Sequence, residues 1–181
     1  MSVEKIDPIL RGEHKMQEKL ETKEQANEFY SREMIDYLAP QMKDFIKEQS
    51  LVFISTSDQK GECDCSVRSG KKGFVLVLDE KTLAYAEYKG NGVMASMGNI
   101  QENPHIGLLF LDFFQEDKGG LHVNATARVL SSQLEDNDIK KEFLDKLNLH
   151  SKDLGQKEVA WVLMEVQEAY IHCSKNIPIF K

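Results

Sequence analysis

The chain has 181 residues, 41% of them hydrophobic and 29% charged, and carries a net charge of −7 spread along its length. That is enough chain for one well-buried core and too little for two comfortable ones, and a dispersed negative charge leaves no electrostatic footprint for nucleic acid. The apolar runs fall well short of the ~20 residues a membrane-spanning helix requires, and the residues from Glu4 onward are too charged for a secretory signal, so a cytoplasmic protein with no nucleic-acid or membrane partner is expected.

The first fifteen residues are polar, contain Pro8 and Gly12, and read as a loose lead-in. Residues 16–38 are helix-like, with Leu20, Phe29, Met34, Ile35 and Leu38 as a sparse apolar set, which suggests one or two peripheral helices. Pro40 suits the first position of a further helix whose inward face is Met42, Phe45 and Ile46. The period then changes. Residues 51–57 and 62–67 flank the turn Asp58-Gln59-Lys60-Gly61 and read as a hairpin, with Cys63, Cys65 and Val67 on one strand face. Three cysteines without a secretion signal argue for reduced thiols. The pattern lacks the spacing of a zinc module, so Cys63 and Cys65 read as small buried strand residues and no metal site is expected.

A basic glycine loop, residues 68–73, leads into an apolar strand over 74–78, and a short turn leads into a strand over 83–87. Next comes a turn with Lys89, Gly90, Asn91 and Gly92, then a short helix ending at Glu102-Asn103-Pro104. Glycines free the backbone there and Asn91 can cap the helix. A helix N-terminus beside a cation is a candidate anion site, although such a segment taken alone reads more readily as an ordinary turn. A strand over 106–114 follows, then one over 121–130 in which Leu121, Val123, Ala125, Ala127 and Val129 alternate with His122, Asn124, Thr126 and Arg128. An amphipathic helix is expected over 135–147 and a last strand over 159–173. His122 and Asn124 lie on the polar face of their strand, where a ligand or plain solvent could meet them, solvent being the readier reading for His122. His172 reads as structural, since no nucleophile and orienting carboxylate accompany it at a recognisable spacing. Together these elements describe a mainly β protein with flanking helices, built on a six- or seven-stranded antiparallel barrel whose closure removes free edges.

The ordered set formed by residues 53–58, Ser66-Val67-Arg68, Gly73-Phe74-Val75, Gly90-Asn91, the helix end over 99–104, residues 107–110, residues 123–128 and residues 165–175 resembles the FMN-binding split barrels related to pyridoxamine 5′-phosphate oxidase. The resemblance implies a homodimer with FMN in clefts between the subunits and an open face for a small-molecule substrate or electron donor. It divides the chain into an N-terminal helical extension, 1–39, and an FMN-binding split-barrel domain, 40–181. By matched position it places Arg68, Lys72, Gly73, Phe74 and Val75 along the flavin, Lys89, Gly90 and Asn91 near its phosphate, and Lys175 near the cofactor of the same or the partner subunit. Related proteins carry two arginines where this chain has Gly92 and Val93, so Lys89, Lys72 or Arg68 must supply the counter-charge. The implied function is that of an FMN-dependent oxidoreductase, with a non-catalytic flavin- or haem-binding carrier as the alternative. No catalytic side chain is assigned. The arginine- and histidine-bearing tail that pyridoxamine phosphate oxidases use on their substrate has no counterpart in this sequence, and that activity is not expected.

Overall fold

The computed structural model describes residues 12–115, 119–131, 139–153 and 157–180. Its elements in chain order are α1 (Gly12–Lys19), α2 (Lys23–Arg32), α3 (Pro40–Glu48), β1 (Leu51–Ser57), β2 (Cys63–Ser69), β3 (Leu76–Val77), β4 (Thr82–Glu87), α4 (Ala95–Glu102), β5 (His105–Leu111), β6 (Gly120–Ser131), α5 (Lys141–Asp153) and β7 (Ala160–His172). Every strand pairing is antiparallel, in the order β2-β1-β5-β6-β7-β4-β3. The sheet curls into a split barrel. Its interior is a single cluster to which Val52, Ile54, Leu83, Tyr85, Leu108, Phe110, Leu121, Val123, Val162 and Met164 contribute from five strands.

Period-2 alternation decides which side chains enter that cluster. On the outer face, Ala84, Ala86, Leu130 and Trp161 form a second cluster with Phe143 and Leu147 of α5. Burial of the larger ones, Leu130, Phe143 and Leu147, stabilises the fold by roughly 1.5–3 kcal/mol each. On the inner side, α3 begins at Pro40 and buries Met42 and Ile46. β7 runs past the end of β4, which last pairs at Thr82↔Glu165. The edge left free is met by Ile35, which exchanges two backbone hydrogen bonds with Ala169 at 3.1 and 2.7 Å. Opposite that point β7 holds one extra residue, Gln167, because Asn124 pairs with Glu168 while Ala125 pairs with Val166.

Several boundaries differ from the sequence expectation, each for a local reason. β5 stops at Leu111 because the Asp112 carboxylate accepts the backbone N–H groups of Phe114 and Gln115 at 2.9 and 3.0 Å and turns the chain. The apolar run over 74–78 contributes only two strand residues, since the Phe74 N–H closes a turn on Lys71 and the Leu78 N–H another on Thr82. Residues 132–138 lie outside the described residues, so the expected start of the helix near 135 falls there, and α5 extends beyond Leu147 to Asp153. The β2 reading is reversed. Cys63 and Cys65 are exposed and Val67 is half-exposed, whereas Asp64, Ser66 and Arg68 occupy the less accessible face. Alternation was read correctly, but the polar set faces in because it meets polar partners there. Among the described residues no helix is long and apolar enough to cross a membrane.

Candidate functional site

The barrel is split between its edges, and the side chains that bridge the gap form the candidate site. Along β4, Leu83 and Tyr85 point into the barrel, and alternation carries Glu87 to the same side at the strand's end. Arg68 reaches it from β2. Its Nε lies 2.8 Å from one Glu87 oxygen and 3.1 Å from the other, its Nη2 donates to the latter at 2.9 Å, and its Nη1 donates to Ser66 Oγ at 2.8 Å and to the Val67 carbonyl at 3.1 Å. The guanidinium carbon also stands 5.9 Å from the centre of the Tyr85 ring. The Tyr85 hydroxyl is buried without a hydrogen-bond partner among the described residues. Burial, reinforced by Glu87 and opposed by Arg68, raises its pKa beyond the ordinary phenol range.

The turn from β4 into α4 follows at once. Gly92 N–H donates to the Lys89 carbonyl at 2.8 Å, and Gly90 and Gly92 take φ of +47° and +81°, conformations that favour glycine. Asn91 does not cap α4, contrary to expectation. Its Oδ1 accepts the Val93 N–H at 3.1 Å and closes a local turn, while Met94, with φ of 56°, takes the cap position without a side-chain hydrogen bond. Ser96 Oγ in the first helical turn contacts the Asp64 carboxylate at 3.4 Å, so a protein carboxylate already stands by that helix end. Lys89 is exposed and forms no ion pair among the described residues. The other end of α4 is structural: Asn99 Nδ2 donates to Thr56 Oγ1 at 3.1 Å and Asn103 Nδ2 to Ser57 Oγ at 2.8 Å, pinning the helix to β1.

The basic loop packs elsewhere, against the end of α3. Gly73 N–H donates to the Gln49 carbonyl at 3.1 Å, and Gly73 takes φ of +75°. Lys72 is exposed and pairs with Glu48 at 2.8 Å, which raises its pKa. Phe74 and Val75 are core residues. Lys175 is exposed in a short 3-10 turn, Ser174–Asn176, just past β7. Glu87 pairs with Ala160 at one end of β7, and Lys175 follows His172 at the other. Thirteen strand residues span roughly 40 Å before coiling. A single phosphate in one subunit therefore cannot touch both Lys89 and Lys175. Of the nine residues expected to bind cofactor, the fold gathers Arg68, Lys89, Gly90 and Asn91 around the Glu87 end of β4, and sets Lys72, Gly73, Phe74 and Val75 by α3.

Two groups of polar side chains have surroundings that the sequence reading did not foresee. Glu87 and Asp64, the carboxylates that answer Arg68 and α4, carry no local signal. On the outer face of β6 and β7, His122 is not simply solvated. Its Nε2 lies 3.0 Å from Asn124 Oδ1 and its Nδ1 3.0 Å from the Tyr170 hydroxyl, with the His122 and Tyr170 rings stacked at 4.7 Å. Burial, helped by His122, lowers the pKa of neighbouring His172. The alternation over 121–130 placed His122 and Asn124 on one face, which was the available signal. Among the described residues no group of three His, Cys, Asp or Glu side chains is arranged to hold a metal ion.

No curated protein matches the chain. Among solved structures it is similar to HupZ of group A Streptococcus, at 20% identity over 76% of this chain and 95% of that one with a TM-score of 0.58. It is also similar to a Lactobacillus delbrueckii protein assigned provisionally as a pyridoxamine 5′-phosphate oxidase, at 23% identity over 75% and 95% with a TM-score of 0.52. At these identities the likeness is one of fold. The sequence profile of the pyridoxamine 5′-phosphate oxidase family matches residues 38–173, three-quarters of the chain, and to that family the protein belongs.

Proposed function

We propose that the protein is a cytoplasmic FMN-binding flavoprotein, an FMN-dependent oxidoreductase acting on a small molecule, with the flavin in a cleft formed with a second copy of the chain. Residues 40–181 would form the flavin domain and residues 1–39 an extension upon it. The observation that carries this reading, beside family membership, is the turn after β4: a lysine, Lys89, with no ion pair among the described residues, on a loop whose two left-handed glycines leave the backbone open to close approach. FMN when bound supplies the electron or hydride chemistry. This chain's own residues would anchor the phosphate through Lys89 and the turn, and wall one side of the cleft with β2 and β4.

A second reading is a carrier of flavin or haem without turnover. The Arg68–Glu87 pair favours it, because a guanidinium whose charge is answered by a carboxylate offers less to a phosphate, and Lys72 is likewise paired with Glu48. The test is the absorption spectrum after mixing with FMN and gel filtration, repeated with haem and followed by a nicotinamide electron donor. Retained flavin that the donor reduces and air reoxidises supports the enzyme. Retained flavin or haem without turnover supports the carrier. Glu87→Gln should tighten FMN about tenfold by releasing the guanidinium. Unchanged affinity in that variant and in Lys89→Ala would overturn the phosphate assignment.

A further inference from the structure

A separate cavity of about 240 Å³ lies between the N-terminal helices and the outer face of β6 and β7. Glu13, Phe29 and Tyr30 line it from α1 and α2, and His122, Glu168 and Tyr170 from the sheet. The helical wall precedes residue 38, where the family match begins, so the cavity depends on a part of this chain that the family profile does not cover. Its polar groups are coupled in one direction. With His122 neutral, the Tyr170 hydroxyl donates to Nδ1, Nε2–H donates to Asn124 Oδ1, and Asn124 Nδ2 donates to Glu168 Oε1 at 2.5 Å. The relay ends on one oxygen of Glu168. The other, Oε2, is buried with no hydrogen-bond partner among the described residues, in a residue only 2% exposed.

A buried carboxylate needs a counter-charge or a donor to offset its desolvation. Among the described residues no lysine or arginine lines the cavity, and a second carboxylate, Glu13, does, accepting a hydrogen bond from the Tyr30 hydroxyl. Phe29 and Tyr170 meet edge to face at 5.1 Å, so aromatic rings form much of the remaining wall. Carboxylates beside aromatic rings are the surroundings that suit an organic cation, and the described residues offer no metal cluster. The volume lies below the ~300–1,000 Å³ of sites that take drug-sized ligands. The covering helices have no fully buried residue, so lifting them to admit a ligand costs little packing.

We propose that this cavity binds a small organic ammonium ion, its N–H groups donating to Glu168 Oε2 and its carbon skeleton lying against Phe29, Tyr30 and Tyr170. The site is distinct from the flavin cleft and does not rest on the FMN reading. Calorimetric titration of the full chain with benzylammonium chloride tests it, with benzyl alcohol as the neutral match. Saturable binding at one site per chain is expected, with benzyl alcohol weaker by about tenfold or more, the loss that accompanies removal of a charge-assisted partner. Glu168→Gln, which keeps the acceptor for Asn124, should weaken benzylammonium by a similar factor. Ala26→Phe should block the cavity from α2 without altering either carboxylate, which covers the case of a poorly folded Glu168 variant. Equal affinity for the alcohol, no binding at millimolar concentration, or unchanged affinity in folded Glu168→Gln or Ala26→Phe chains would overturn the proposal. Heat of binding is read without reference to flavin, so failure here and failure of the FMN reading are separate results.

Discussion

Arg68 and Glu87 each depend on the other for counter-charge, their side chains being only 20% and 10% exposed. Removing one partner leaves the other's charge buried and unanswered, which costs up to about 3–5 kcal/mol in a fully buried pair and less where solvent reaches the site. Arg68→Ala should therefore destabilise the fold by about 2–3 kcal/mol, while Arg68→Met with Glu87→Leu should lie within about 1–2 kcal/mol of the parent. Urea unfolding measures both. Equal losses in the two variants would mean that packing rather than charge is at stake. Neither partner betrays the pairing in the sequence. Arg68 reads as a cation ending a strand and Glu87 as a polar strand end, and they meet only because the curled sheet brings its two edges together. Asn91 was misread for a related reason: an asparagine before a helix has two local uses, and here, four residues before α4 begins, its side chain closes the turn on Val93.

Elements were most legible where one face is buried and the pattern runs long. The alternation of β6 from Leu121, the apolar face of α3 after Pro40 and the body of β7 follow the sequence closely, because each must bury a continuous stripe. Short elements were less so: Phe74 and Val75 reach the core from a loop, where hydrophobicity gives no strand signal of its own. Glycines separate turn geometry from mere tolerance. At Gly119, φ is +64° and an added Cβ would sit 2.2 Å from the His172 carbonyl oxygen, backbone that cannot step aside. At Gly98, in the exposed middle of α4, a Cβ would meet nothing within 4 Å. Gly119→Ala should lower stability by roughly 2 kcal/mol or more through the strained approach of β5–β6 to the end of β7. Gly98→Ala should raise it by roughly 0.5–1 kcal/mol through helix propensity. Thermal unfolding should move in opposite directions for the two, and a loss in both would mean that the close approach at Gly119 is not what distinguishes them.

At the level of the whole molecule, the split barrel leaves its candidate cofactor end open. Val67, 49% exposed, lies on β2 beside Arg68, and Val93, 69% exposed, lies on the Lys89 turn. Single exposed apolar residues are ordinary, but these two flank the place where a cleft formed with a second copy would close. A phosphate held by one lysine needs more enclosure than one chain offers, because an exposed charge pair gains little in water. Flavin retention and dimerisation should therefore be one event. Val67→Glu would put a carboxylate into that interface, where charge is costly to desolvate, and should yield a folded monomer that no longer retains FMN on gel filtration. Light scattering reports the mass and absorbance the flavin in the same run. A Val67→Glu dimer that keeps its flavin would move the interface away from β2, and a monomer that keeps it would place the whole flavin site within one chain. Lys175, at the far end of β7 from Glu87, gives the same architecture a second test within that measurement. With the phosphate at the Lys89 turn, a contact of Lys175 to that phosphate comes from the partner subunit, so Lys175→Ala should weaken FMN only in the dimeric protein.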